Sequence, residues 1–395
     1  MNERKILICD DESFIEENLS CKLEAIGVAQ QGFIVDFSRG RFRSAIDSLE
    51  NRLASAREKK NPGFPSNDNA SIIDQASILI IDYDLLKMDP TLTGERAAYL
   101  ARCFSRCGVI VALNQFPPYM VENFDLTLRG HPESFADLNI PSDSIGNRGL
   151  WQEPWNGFRP WSWPLLPLAF EKFERRWKSL LDKLDQPIFE YLGLDKAKSL
   201  SLPRSLIEYI SRSGDPKKTS FRDFVQNSGN GLKRKDVPLA DEAVARIAAA
   251  RLHNWLENMI LPGQDILVDA PHLISRYPSL VRGDMNDLAV LDRATRFVGL
   301  DILDAVIAQF QMQAEDWISR SVWFWGDVSN CEAIKEISDP WSLAKPDSVF
   351  CEDISRFAPQ DKARGFVADL ESPFIHRFVS YMDGIEYTPQ VRFSL

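Results

Sequence analysis

The sequence predicts a doubly wound α/β domain on a five-stranded parallel sheet, followed by a mainly α-helical second domain. Three observations carry this. Short apolar runs in the first half end abruptly in acidic or turn residues, as buried parallel strands do. Segments of helical period separate them, which is the alternation of an open parallel sheet. Beyond about residue 185 the helical period dominates. A chain of 395 residues also exceeds one ordinary domain, so the expected division is 1–185 and 186–395.

The first strand is Lys5 to Cys9, KILIC, closed by Asp10, Asp11 and Glu12. Ser13 is placed to cap a helix carrying Phe14, Ile15, Leu19, Leu23 and Ile26, which Gly27 stops. A second strand follows at Phe33 to Phe37, then a helix from about Arg41 to Lys60 with Ile46, Leu49 and Leu53 on one face. The Pro, Gly and Asn of NPGFPSNDN mark a loop insertion at about 61–75. Ile78 to Ile81 is the third strand, ending in Asp82, Tyr83 and Asp84. A helix from about Thr93 to Cys107, a fourth strand at Val109 to Leu113 and a fifth at Ala136 to Pro141 complete the pattern. A second insertion spans about 115–163, and Leu165 to Leu184 reads as a long amphipathic helix. Two acidic strand ends therefore reach the carboxyl edge of one sheet, where open α/β folds bind ligands.

KILICDDE, followed about seventy residues later by ILIIDYDLL, resembles the receiver domain of bacterial two-component response regulators, a flavodoxin-like fold. The resemblance implies that Asp10 and Asp11 hold Mg²⁺ and that Asp82 accepts a phosphoryl group. It also implies that the backbone carbonyl of Asp84 completes the metal site and that Gly94 opens the third helix. The residue types suit that chemistry. A carboxylate attacks phosphorus only when a hard cation neutralises the phosphoryl oxygens, and Mg²⁺ prefers clustered oxygen ligands.

Two departures stand beside the likeness. The family's Ser or Thr after strand four is replaced by Ala112, Leu113 or Asn114, and its Lys before Pro after strand five by Ile140. An aliphatic side chain makes no charge-assisted bond to a phosphoryl oxygen. Lys87, Arg96 and Arg159 are the candidate substitute cations. The resulting expectation is a phosphorelay protein served by a histidine kinase or phosphotransfer partner. A non-phosphorylated pseudo-receiver scaffold and a phosphate-sink receiver in a bacterial defence phosphorelay are the alternatives. A C-terminal hydrolase or nuclease gated by the receiver is a further one.

Elsewhere the signals are structural. The segment GLWQEPWNGFRPWSWP holds Trp151, Trp155, Trp161 and Trp163 among prolines that bar a helix, and reads as a plug at a domain joint rather than a binding surface. Asp241 and Asn286 are expected helix caps, and Trp317, Trp323 and Trp325 core residues. Between Asp195 and Asp236 ten basic residues meet five acidic ones, which reads as a solvated loop before a phosphate-binding patch. Asp269 and His272 in DAPHLISR form an enzyme-like pair, for which a turn with a hydrogen-bonded His is the plainer reading; Cys351, Glu352 and Asp353, and His376 beside Arg377, invite the same caution.

Net charge of −11 disfavours nucleic acid as a partner, and homodimerisation is left open. Six cysteines without CxxC spacing suggest neither zinc nor disulfides; Cys103 and Cys107 lack further ligands. The N-terminus lacks the length and cleavage site of a secretory signal and no apolar run spans a bilayer, so a cytoplasmic location is expected.

Overall fold

The computed structural model describes residues 4–38, 40–58, 70–85, 87, 89–114, 134–153, 155–194, 202–211, 215–227, 239–277, 312, 316–332, 348–367, 374 and 376–381. Residues 61–69 of the first insertion and 115–133 of the second, the expected helix from Asn286, and Lys233 to Lys235 of the basic stretch lie outside them.

The five predicted strands are present: β1 (Arg4–Cys9), β2 (Phe33–Phe37), β3 (Ile78–Asp82), β4 (Val109–Asn114) and β5 (Leu138–Pro141). They form one sheet in the order β2-β1-β3-β4-β5 with every neighbour parallel, which is consistent with a flavodoxin-like arrangement. Ile6 to Ile8 and Ile78 to Ile81 are fully buried, so the continuous apolar runs follow from a sheet covered on both faces.

Helices α1 (Ser13–Ala25), α2 (Phe42–Arg57), α3 (Gly94–Phe104) and α4 (Leu166–Leu180) surround it. Ser13 does not cap α1 but is its first residue; extended Glu12 stands at the cap without a side-chain bond. At α3 the cap is Thr93, whose Oγ1 accepts the Arg96 N–H at 3.2 Å. Asp74 anchors the approach to β3. It closes a capping box with Ser71 and holds the buried Arg52 guanidinium at 2.8 and 3.0 Å.

The second half contains the helices α5 (Ile188–Tyr191), α6 (Arg204–Ile210), α7 (Phe221–Asn227), α8 (Asp241–Trp255), α9 (Ala270–Arg276) and α10 (Trp325–Ser329). Asp241 begins α8 instead of capping it. Among the described residues of this half, two small sheets stand beside these helices. Strands β6 (Leu267–Asp269) and β7 (Val322–Phe324) pair antiparallel. A four-stranded sheet in the order β10-β11-β8-β9 is built from β8 (Ser348–Cys351), β9 (Arg356–Pro359), β10 (Ala363–Val367) and β11 (His376–Ser380). Strands of three to five residues give too few alternations for a period of two to show.

One contiguous apolar cluster runs from β1 through α8 to β7, across residue 185. Helix α8 lies by the ends that lead into β4 and β5. Arg246 donates to the carbonyls of Arg106 and Cys107 at 2.5 and 3.0 Å, and Asn254 donates to that of Ala136 at 3.1 Å. The guanidinium of Arg246 also stacks on Phe173 and Trp177 of α4 and lies 3.6 Å from the Glu174 carboxylate, so its charge is met by carbonyls, aromatic faces and a carboxylate. Among the described residues no helix is long and apolar enough to cross a membrane.

Candidate metal and phosphoryl site

The ends of β1 and β3 are adjacent because Cys9 pairs with Ile81 in the parallel register. This brings Asp10 and Asp11, just past β1, against Asp82, the last residue of β3. One carboxylate oxygen from each lies within 4.8 Å of the other two. Asp10 and Asp82 are 7% and 3% exposed, so two of the three acids have lost most of their water. Burial, with Asp10 as the strongest repelling charge, pushes the Asp82 carboxyl up to about 7. Burial likewise raises Asp10 to about 6, against the Glu12 N–H it accepts at 2.8 Å.

The donors are all oxygens and their negative charge is poorly solvated. That set fits a hard divalent cation such as Mg²⁺, which relieves the repulsion by direct coordination. Asp84 lies two residues beyond Asp82. Its backbone forms an antiparallel bridge with Thr93, which closes the loop between β3 and α3.

Gly94 is required on steric grounds. A Cβ there would stand 2.5 Å from the Asp82 carbonyl oxygen and 2.6 Å from Tyr83 Cα, while its N–H donates to the Tyr83 carbonyl at 2.9 Å. The start of α3 therefore rests directly on the backbone that presents Asp82.

Leu113 pairs with Asp82 on one side and with Ile140 on the other. Both are buried. Of the three candidate cations only Lys87 comes to the cluster. Its backbone N–H donates to Asp11 Oδ2 at 3.0 Å and its ammonium pairs with Glu12. Arg96 faces Glu50 and the ring of Tyr99, whereas Arg159 is held by Glu153 at 2.6 Å in the Trp-rich segment.

Glu16 was not legible as part of this site. It is 1% exposed and accepts from the Ser38 N–H at 3.1 Å and from the Ser38 hydroxyl, which ties the turn after β2 to α1 behind Asp10. A Glu in the first turn of a helix ordinarily needs no partner beyond the helix dipole.

Asp269 and His272 meet in a second, buried arrangement. Asp269 caps α9, and its carboxylate accepts from the His272 ring at 2.6 Å, Trp161 Nε1 at 2.5 Å and Gln264 Nε2 at 3.1 Å. The other ring nitrogen of His272 faces Glu352 Oε1 at 3.0 Å, and Arg377 closes on Glu352 with its Nη2 at 2.7 Å. Although burial opposes its charge, the flanking Asp269 and Glu352 carboxylates hold the imidazole above its ordinary value. Burial also disfavours the Asp269 carboxylate, yet His272 and Arg320 outweigh it and hold that group low.

An imidazolium that donates from both nitrogens has no nitrogen left for a substrate. The pair is a fastening between the Trp-rich segment, β6 and the turn after β8. Trp161 N–H donates to the Glu352 carbonyl at 2.7 Å and Arg159 N–H to that of Asp353 at 2.8 Å. With Trp151, Trp161 and Trp163 all buried, the segment packs as a plug. Cys103 and Cys107 are buried free thiols, raised by that burial.

Comparison with family models, with curated proteins and with solved structures gives no match to this chain.

Proposed function

We propose that the chain is a receiver-like signalling protein in which Asp10, Asp11 and Asp82 bind Mg²⁺ and Asp82 accepts a phosphoryl group. The observation that supports this above all is the convergence of two separate acidic strand ends on one buried point. Asp10 and Asp11 would hold the metal, with Asp82 sharing it. Bound Mg²⁺ supplies neutralisation of the phosphoryl oxygens and lowers the proton affinity of Asp82. An oxygen of the Asp82 carboxylate then forms the bond to phosphorus as the donor's P–N or P–O bond breaks. The product is an acyl phosphate, and the leaving group is the imidazole of a phosphohistidine or, with a small donor, acetate. A histidine kinase or phosphotransfer protein is the fitting natural donor.

The test is incubation with Mg²⁺ and acetyl phosphate, followed by intact-mass measurement. Wild type gains one phosphoryl group and Asp82→Asn gains none. A wild type that binds Mg²⁺ yet stays unmodified with acetyl phosphate and with phosphohistidine donors overturns the proposal.

A second reading has its own observation. Leu113, paired with Asp82, and Ile140, paired with Leu113 on the next strand, are both buried and offer no hydroxyl or ammonium to read out a phosphoryl group. On that reading the domain is a scaffold, and Asp82→Ala keeps full partner binding. The gated-hydrolase alternative finds no support at Asp269 and His272, whose polar atoms are committed to each other and to Trp161, Gln264 and Glu352.

A further inference from the structure

Among the described residues the sheet gives the acidic cluster no cation, and the structure places one on the neighbouring loop. We infer that Lys87 is the catalytic cation of the Asp82 site, its ammonium passing from Glu12 to the transferring phosphoryl group. This rests on the phosphoryl-acceptor reading given above.

Charge makes the need plain. A phosphoryl group brings about two negative charges to a point that already carries three carboxylates, and one divalent cation leaves that sum negative. Leu113, which pairs with Asp82, and Ile140, the next strand's partner of Leu113, are both apolar and buried. The compensating charge therefore has to come from a loop.

The arginines near this edge of the sheet are committed. Arg41 donates to the carbonyls of Ser38 and Phe37 at 3.1 and 3.2 Å, Arg43 pairs with Asp47 at 3.0 Å and with Asp89, and Arg96 turns to Glu50. Lys87 differs in being fixed at one end and loose at the other. Its main chain is anchored to a candidate metal ligand by the 3.0 Å bond to Asp11 Oδ2. Its side chain is 70% exposed and is held at its tip by Glu12, itself 42% exposed.

An exposed pair of this kind is worth little, so exchanging Glu12 for a doubly charged phosphoryl oxygen set is downhill. The anchored backbone keeps the ammonium beside the cluster while it moves. A flexible stem ending in a point charge suits this exchange better than a planar guanidinium would.

The experiment compares wild type, Lys87→Met, Lys87→Arg and Glu12→Gln. Mg²⁺ affinity is measured by titration calorimetry, and the rate and lifetime of Asp82 phosphorylation by acetyl phosphate are followed by mass. Lys87→Met is expected to bind Mg²⁺ as wild type does but to be labelled about a hundredfold more slowly, the lower end of what loss of one transition-state donor costs. Lys87→Arg recovers part of the rate. Glu12→Gln, which releases the ammonium, is labelled at least as fast as wild type. Labelling of Lys87→Met at the wild-type rate overturns the role of Lys87 and leaves the phosphoryl-acceptor reading standing. A wild type that is never labelled overturns both.

Discussion

At Gly94 a single added methyl group would meet the backbone that carries Asp82. The two nearest contacts, 2.5 Å to the Asp82 carbonyl oxygen and 2.6 Å to Tyr83 Cα, are with main-chain atoms that cannot swing aside. Gly94→Ala must therefore move α3 away from β3 or tilt the peptide that aims Asp82. The expected cost is about 1–3 kcal/mol of stability, as for overpacking elsewhere. Mg²⁺ affinity should fall with it, because the ligand geometry shifts. Denaturant melts and Mg²⁺ titrations of Gly94→Ala check both; wild-type behaviour in each would show that the contact relaxes freely. This glycine was legible in the sequence only through the family resemblance. Its physical reason, close approach of a helix start to a strand end, is a property of the packed backbone and leaves no periodic mark.

At the scale of elements, the buried link between α9, β8 and β11 makes a pH dependence that can be derived. The pKa of His272 is raised in the folded protein, so the stability it contributes is complete below the ordinary imidazole value. That contribution is lost as pH rises through the raised one. Asp269 and Glu352 are lowered, and their contribution is present above the ordinary carboxylate range and lost as pH falls below it through their lowered values. Stability should thus decline on the alkaline side through His272 and on the acid side through its two partners. In His272→Gln the alkaline decline should flatten, and the acid one should shrink to the part that Arg320 and Arg377 sustain. Melting temperatures across pH measure this, and an unchanged alkaline slope in the variant would refute the assignment. The strands of the first sheet were legible to within a few residues, because a strand covered on both faces must be apolar throughout and must turn polar where it meets solvent. The partners of His272 were not. Glu352 lies 80 residues from it in the chain and Arg377 a further 25, and no local pattern joins residues across such distances.

At the scale of the whole molecule, the expected boundary near residue 185 meets a continuous core. Arg246 and Asn254 of α8 bond to carbonyls that lead into β4 and β5, and Arg251 stacks on Phe135 at 4.3 Å and donates to the Ser134 carbonyl. Removing residues 186–395 would leave those carbonyls and the faces of Phe135, Phe173 and Trp177 without their cover. Each large side chain so exposed forfeits on the order of 1–3 kcal/mol, and a few of them consume the ~5–15 kcal/mol that holds a typical domain together. A fragment of residues 1–185 is therefore expected to keep helical far-UV signal while losing near-UV aromatic signal and cooperative melting. Supplying 186–395 in trans should restore both. A monomeric, cooperatively folding 1–185 with intact Mg²⁺ binding would instead show that α8 merely rests on a self-sufficient unit. The outcome bears on signalling as well as on folding. If the acidic cluster depends on α8 for its scaffold, whatever perturbs Asp82 is felt across the shared core, and the second half can respond to the site without touching it.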